Sequence, residues 1–107
     1  MTKAVMYWDR LRLEVKGHAG GGEKGKDIVC AAISMLAEAL VGVLDDASKR
    51  GRTIYECKDG DGLIVVWADP GLGNLNEIKS YFRMCVKGLK MLQQEYPNNV
   101  QIDETGR

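Results

Sequence analysis

The chain has one histidine and three cysteines, and only eleven residues separate the histidine, His18, from the first cysteine, Cys30. An imidazole beside a thiol can take the thiol proton, leave a thiolate to attack a carbonyl carbon, and later protonate a departing amine. These are the proton movements of acyl transfer by cysteine enzymes. Gly17-His18-Ala19 closes an alternating segment, and Asp27-Ile28-Val29-Cys30 opens an apolar one. With Asp27 as the N-cap of a helix, Cys30 falls in the first turn, where unpaired backbone N–H groups and the helix dipole favour an anion. A thiol there ionises more readily, and the same N–H groups are suited to hold an oxyanion. A loop of eleven residues brings its ends together at modest entropic cost. Spacing alone leaves a second reading open, in which Cys30 is a core thiol and His18 a surface residue.

The elements that must position this pair follow from periodicity. Residues 4–8 and 11–16 read as two strands, the second alternating Leu11, Leu13, Val15 against Arg12, Glu14, Lys16, with Asp9-Arg10 as a tight connection. Residues 17–26 carry five of the 13 glycines without periodicity and read as a loop. A helix is expected from Asp27 to about Arg50, with Val29, Ile33, Leu36, Leu40, Val43 and Ala47 along one stripe and Arg50-Gly51-Arg52 at its end. Residues 53–58 and 63–68 flank the turn Asp59-Gly60-Asp61-Gly62, and the run Leu63–Trp67 is apolar enough for a central strand. Leu75, Ile78, Phe82, Cys85, Leu89, Leu92 and Tyr96 predict a second helix stopped by Pro97, and residues 100–104 a last strand. The order ββαββαβ implies an α+β fold, a mainly antiparallel sheet packed against two helices, in one domain over residues 1–107. Apolar residues beyond the core stripes, among them Tyr81, Met84 and Met91, predict a homodimer.

Several functions are excluded or demoted. Fifteen basic and fifteen acidic residues cancel, which removes the excess positive charge of a general DNA or RNA binder. Three widely spaced cysteines and an N-terminus without an apolar signal segment predict a reduced, cytoplasmic protein. The apolar stretch from Ile28 to Leu44 is read as a core helix too short to cross a bilayer, with no membrane partner. Gly20–Asp27 nearly matches a phosphate-binding loop, but Asp27 stands where a hydroxyl should hold magnesium and would repel phosphate. No cysteine pair has the spacing of a zinc site, so neither metal nor cofactor is expected; Cys57 has no assigned role.

The words around the pair are more specific than their spacing. Gly17-His18-Ala19, a glycine-bearing loop, then Gly25-Lys26-Asp27-Ile28-Val29-Cys30-Ala31-Ala32-Ile33-Ser34 resembles, over 18 contiguous positions, the signature of the ribosomal-processing cysteine protease family, Prp. A looser likeness runs through the rest of the chain, including Gly88-Leu89-Lys90 and Glu95-Tyr96-Pro97. The resemblance implies a small homodimeric protease of bacteria related to the Firmicutes, which removes the N-terminal extension of a large-subunit ribosomal protein, L twenty-seven. It implies Cys30 as nucleophile and His18 as general base, and a loop of Gly20, Gly21, Gly22 and Gly25 that covers the site and orders on substrate.

Asp27 and Ser34 also fall on positions of that signature. Asp27 can cap the helix or fix the tautomer of His18, and the two roles compete for the same oxygens; capping is the expectation. Ser34, one turn after Cys30, should share its face and either donate to the thiolate or bond back to a carbonyl. Lys79, Arg83, Lys87 and Lys90 should share a face of the second helix, which is either a solvated surface or a contact for ribosomal RNA. The last possibility defines the alternative to the protease, a non-catalytic ribosome-associated module.

Overall fold

The computed structural model describes residues 1–17 and 24–106, with side chains described from residue 28 onward in the second stretch. Strand β1 (Thr2–Tyr7) turns through a short 3-10 segment, Trp8–Arg10, into β2 (Arg12–Lys16), with Leu11 in the left-handed region at φ 41°. Helix α1 (Lys24–Lys49) follows, then β3 (Thr53–Gly60), β4 (Leu63–Pro70), α2 (Leu75–Glu95) and β5 (Val100–Thr105). The order is ββαββαβ and the class α+β, as the periodicities imply.

The sheet runs β3-β4-β2-β1-β5, antiparallel except for the parallel pair β1–β5. Its register aligns Ala4 with Val15, Met6 with Leu13 and Leu13 with Val66, so the apolar member of each alternation lies on one face. Both helices cover that face. Met6, Leu13, Leu44, Val66, Ile78 and Phe82 form the centre of the core, each 1% exposed or less. The opposite face carries Lys3, Arg12, Glu14 and Lys16, and Arg12 Nε bonds Glu14 Oε2 at 2.7 Å.

Turn chemistry fixes the connections. Asp61 (φ 53°) and Gly62 (φ 74°) form the two-residue β3–β4 turn, which needs left-handed backbone at both positions. Helix α1 ends with Gly51 at φ 72°; its N–H donates to Ser48 O at 2.9 Å and that of Arg52 to Ala47 O at 3.0 Å, which satisfies two of the helix's last carbonyls.

Four expectations are corrected. Helix α1 opens at Lys24, so Asp27 lies inside its first turn and is not its N-cap. The buried stripe of α1 is Val29, Ile33, Ala37, Leu40, Leu44 and Ala47; Val43 is exposed and Leu36 half-buried, because α1 is apolar on more than one side and packs with its buried face rotated part of a turn from the expected stripe, at the same mean spacing. Leu75, at the mouth of α2, is exposed. Residues Ile28–Lys49 have, contrary to the shorter reading, the length and apolarity of a membrane span, but here the buried stripe packs against the sheet.

Candidate active site

Cys30 projects from the second turn of α1 and is half-buried. It lines a cleft of about 320 Å³ between α1, the end of β2 and the β3–β4 turn, together with Gly17, Ser34, Asp59 and Ile64. Gly17 is the residue that precedes His18, so the cleft joins the nucleophile candidate to the end of the strand leading into the Gly-His-Ala motif. The chain can take this path only with glycine at position 17. Its φ is +76°, a Cβ there would stand 2.8 Å from the Met1 carbonyl oxygen, and its N–H donates to Gly62 O at 2.9 Å.

Cys30 and Ser34 do share a wall of one cleft, as their spacing of four predicts. The expected seat of Cys30 in the first turn is corrected: residues 24–27 are already helical, so Cys30 stands in the second turn, beyond the unpaired amides of the helix start. The backbone amide of Cys30 therefore lies in the helix ladder, and the dipole effect, confined to the first turn, does not reach the thiol at full strength. His18, Gly20, Gly21 and Gly22 lie outside the described residues. Gly25 and Asp27 are placed by backbone alone, in the first turn of α1.

The other two thiols have different surroundings. Cys85 is buried in the core, its Sγ 3.7 Å from Leu36 O, and burial pushes its pKa up to about 12. Such a thiol stays protonated and unreactive. Cys57 is exposed on β3; partial burial, with the Asp59 carboxylate adding to it, raises its pKa.

Sequence reasoning missed Asp59. It reads as a turn residue, but β3 extends to Gly60, and Asp59, opposite Ile64, points to the same face as Tyr55 and Cys57 and reaches the Cys30 cleft. The period-two alternation backwards from the Asp61-Gly62 turn was the available signal.

Of the four basic residues on α2, Arg83, Lys87 and Lys90 line one shallow depression beside Trp8 and Glu104, and Lys79 borders another. Lys90 Nζ pairs with Glu104 Oε2, which offsets part of that charge.

The family described as cysteine protease Prp matches residues 1–101. Among curated proteins none matches. Among solved structures, the essential ribosomal processing protease Prp from S. aureus in complex with a substrate peptide superposes with a TM-score of 0.76 at 20% identity, covering 98% of this chain and 100% of that one. SMU.848 from Streptococcus mutans is 26% identical with a TM-score of 0.70, covering 97% of this chain and 91% of its own. The same S. aureus protease with a covalently linked product peptide gives 0.69 at 20% identity, covering 97% of each chain. With the match running through both the Gly17–Ser34 signature and the sheet that carries it, the chain belongs to the Prp family of cysteine proteases.

Proposed function

We propose that this chain, acting as one protease domain, removes the N-terminal extension of the large-subunit ribosomal protein L twenty-seven with Cys30 as nucleophile and His18 as general base. The observation that carries the reading is the shared cleft: Cys30 lines it from α1, and Gly17, covalently joined to His18, lines it from the end of β2. Cys85 is buried and Cys57 lies outside the signature, which leaves Cys30 as the thiol suited to the chemistry.

In the reaction the imidazole of His18 takes the Cys30 proton and the thiolate adds to the scissile carbonyl carbon. The tetrahedral intermediate collapses as the imidazolium protonates the leaving amine, and the N-terminal fragment remains as a thioester. Water, deprotonated by the same imidazole, then attacks the thioester, releases the acid and returns the proton to sulfur. Ser34 stands on the cleft wall one turn from the sulfur and supplies a hydroxyl to the reacting centre. Asp27 supports the site from the first turn of α1, and the segment bearing Gly20, Gly21, Gly22 and Gly25 gates the substrate.

The enzyme works in the cytoplasm as a homodimer. Exposed Met35, Met84 and Met91 on the two-helix layer support the dimer, since such side chains favour burial against a second copy. Contact of Lys79, Arg83, Lys87 and Lys90 with ribosomal RNA accompanies delivery of the substrate and replaces none of the catalysis.

The test is incubation with a peptide spanning the junction between extension and mature chain, read by mass spectrometry. Cys30→Ala and His18→Ala are expected to lose at least a thousandfold in cleavage while keeping their folded spectra. Cutting at the wild-type rate by either variant removes that residue from the mechanism.

A further inference from the structure

A second groove of about 560 Å³ continues from the Cys30 cleft and shares Ser34, Asp59 and Ile64 with it. One wall is a single row on α1, Ser34, Glu38, Val41, Gly42 and Asp45, which continues the three- and four-residue spacing from Cys30. The other is the inner face of β3, with Tyr55, Cys57 and Asp59. Among the described residues strand β3 pairs only with β4, which leaves its outer main-chain edge open. The far end is closed where Tyr55 Oη donates to Asp45 Oδ1 at 2.9 Å.

The dimensions suit an extended chain. The fifteen steps from Cys30 to Asp45 advance roughly 22 Å along the helix, the reach of roughly six or seven residues of extended peptide. Gly42 sits midway. A Cβ there would meet nothing within 4 Å, so packing does not require glycine, and glycine weakens a helix interior relative to alanine. What its missing side chain does is leave the groove open.

The geometry points to this α1–β3 groove as the channel that seats about six residues of the substrate on one side of the scissile bond, with Gly42 setting its depth. The assignment rests on the protease reading of Cys30, and the occupant follows from continuity: a chain threaded past the sulfur enters the groove over the residues that both cavities share. An open strand edge against a row of side-chain contacts is a familiar way to hold an extended peptide.

The exposed Cys57 thiol reports occupancy. In full-length Cys30→Ala protein, the junction peptide with ten residues on each side is added to saturation, judged by fluorescence anisotropy, and the rate of Cys57 alkylation by iodoacetamide is followed by mass spectrometry. Bound peptide is expected to slow labelling at least fivefold. Peptides trimmed to two residues on the side that fills the groove should bind without protecting. Gly42→Leu in the same background should weaken binding of the long peptide about tenfold, and Gly42→Ala about twofold. Unchanged Cys57 labelling with peptide bound overturns the groove assignment, even if wild-type protein cuts the peptide. Protection of Cys57 by a peptide that the wild type never cuts overturns the catalytic reading and keeps the groove.

Discussion

Tyr55 on β3 and Asp45 on α1 are joined by a 2.9 Å hydrogen bond, and the second carboxylate oxygen of Asp45 pairs with Lys49 Nζ at 2.9 Å. Two donors on one carboxylate hold Asp45 below the usual carboxylate range, with Lys49 the larger influence and Tyr55 next. The same bond holds the Tyr55 phenol protonated to higher pH than usual, because ionising it would set two anions face to face.

Asp45→Asn is therefore expected to bring the Tyr55 ionisation down toward its ordinary value of 10.0, followed by absorbance near 295 nm. The linkage has two signs. The contribution of Asp45 is present above its ordinary 3.8 and is lost as pH falls through the lower folded value. The contribution of Tyr55 is complete below 10.0 and is lost as pH rises through the higher folded value.

Burial of the Cys85 thiol makes a separate alkaline prediction. Its pKa is raised from 9.0 to about 12, so above pH 9 the unfolded chain binds fewer protons there than the native one. Stability should fall across that window by up to about 1.4 kcal/mol per pH unit from this group. Urea denaturation of wild type and Cys85→Ala at pH 8, 9 and 10 should show the gap between them narrowing as pH rises.

Gly17→Ala is predicted to harm both the fold and the chemistry. The new methyl meets the Met1 carbonyl oxygen, a backbone atom that cannot swing away, and φ of +76° is strained for any L side chain. A loss of about 1 to 3 kcal/mol in denaturant unfolding is expected. Peptide cleavage at a temperature where the variant is fully folded should still fall at least tenfold, because the displaced backbone lines the Cys30 cleft.

Gly88 tests the contact between the helices. A Cβ there would come within 2.6 Å of Leu36 Cδ2 and 2.9 Å of Cδ1. Overpacking costs about 1 to 3 kcal/mol and the gain in helix propensity is about 1 kcal/mol, so Gly88→Ala should lose on the order of 1 kcal/mol. Leu36→Ala removes the obstruction, and a double-mutant cycle should return a favourable coupling between the two changes.

Particular residues show how far the chain can be read without coordinates. Asp61-Gly62 and Gly51 announce their turns because few residues accept a positive φ, and Cys85 announces the core because α2 is apolar on a narrow stripe. Helix α1 is harder: apolar residues lie on more than one side, so Val43 and Leu44 compete for the same phase and only packing decides between them. Its start at Lys24 was obscured because Asp27 looks like a cap ahead of an apolar run, while Lys-Gly-Lys carries no periodicity. Cys30 and Ser34 could be placed together because four residues on a helix is a local relation. Asp59, Gly42 and the groove between them could not, since the groove exists only once β3 takes the outer place in the sheet beside α1.

The parallel pairing of β1 with β5 matches Thr2 to Val100 and Tyr7 to Thr105, the first strand of the sheet to the last in chain order. Such a pairing closes nearly the whole length of the chain in one step and is entropically the most expensive contact in the sheet. During synthesis the first strand emerges long before this neighbour exists, and one flank of it waits unzipped until β5 has left the tunnel. An enzyme built this way cannot finish its own architecture until its fifth strand has been made.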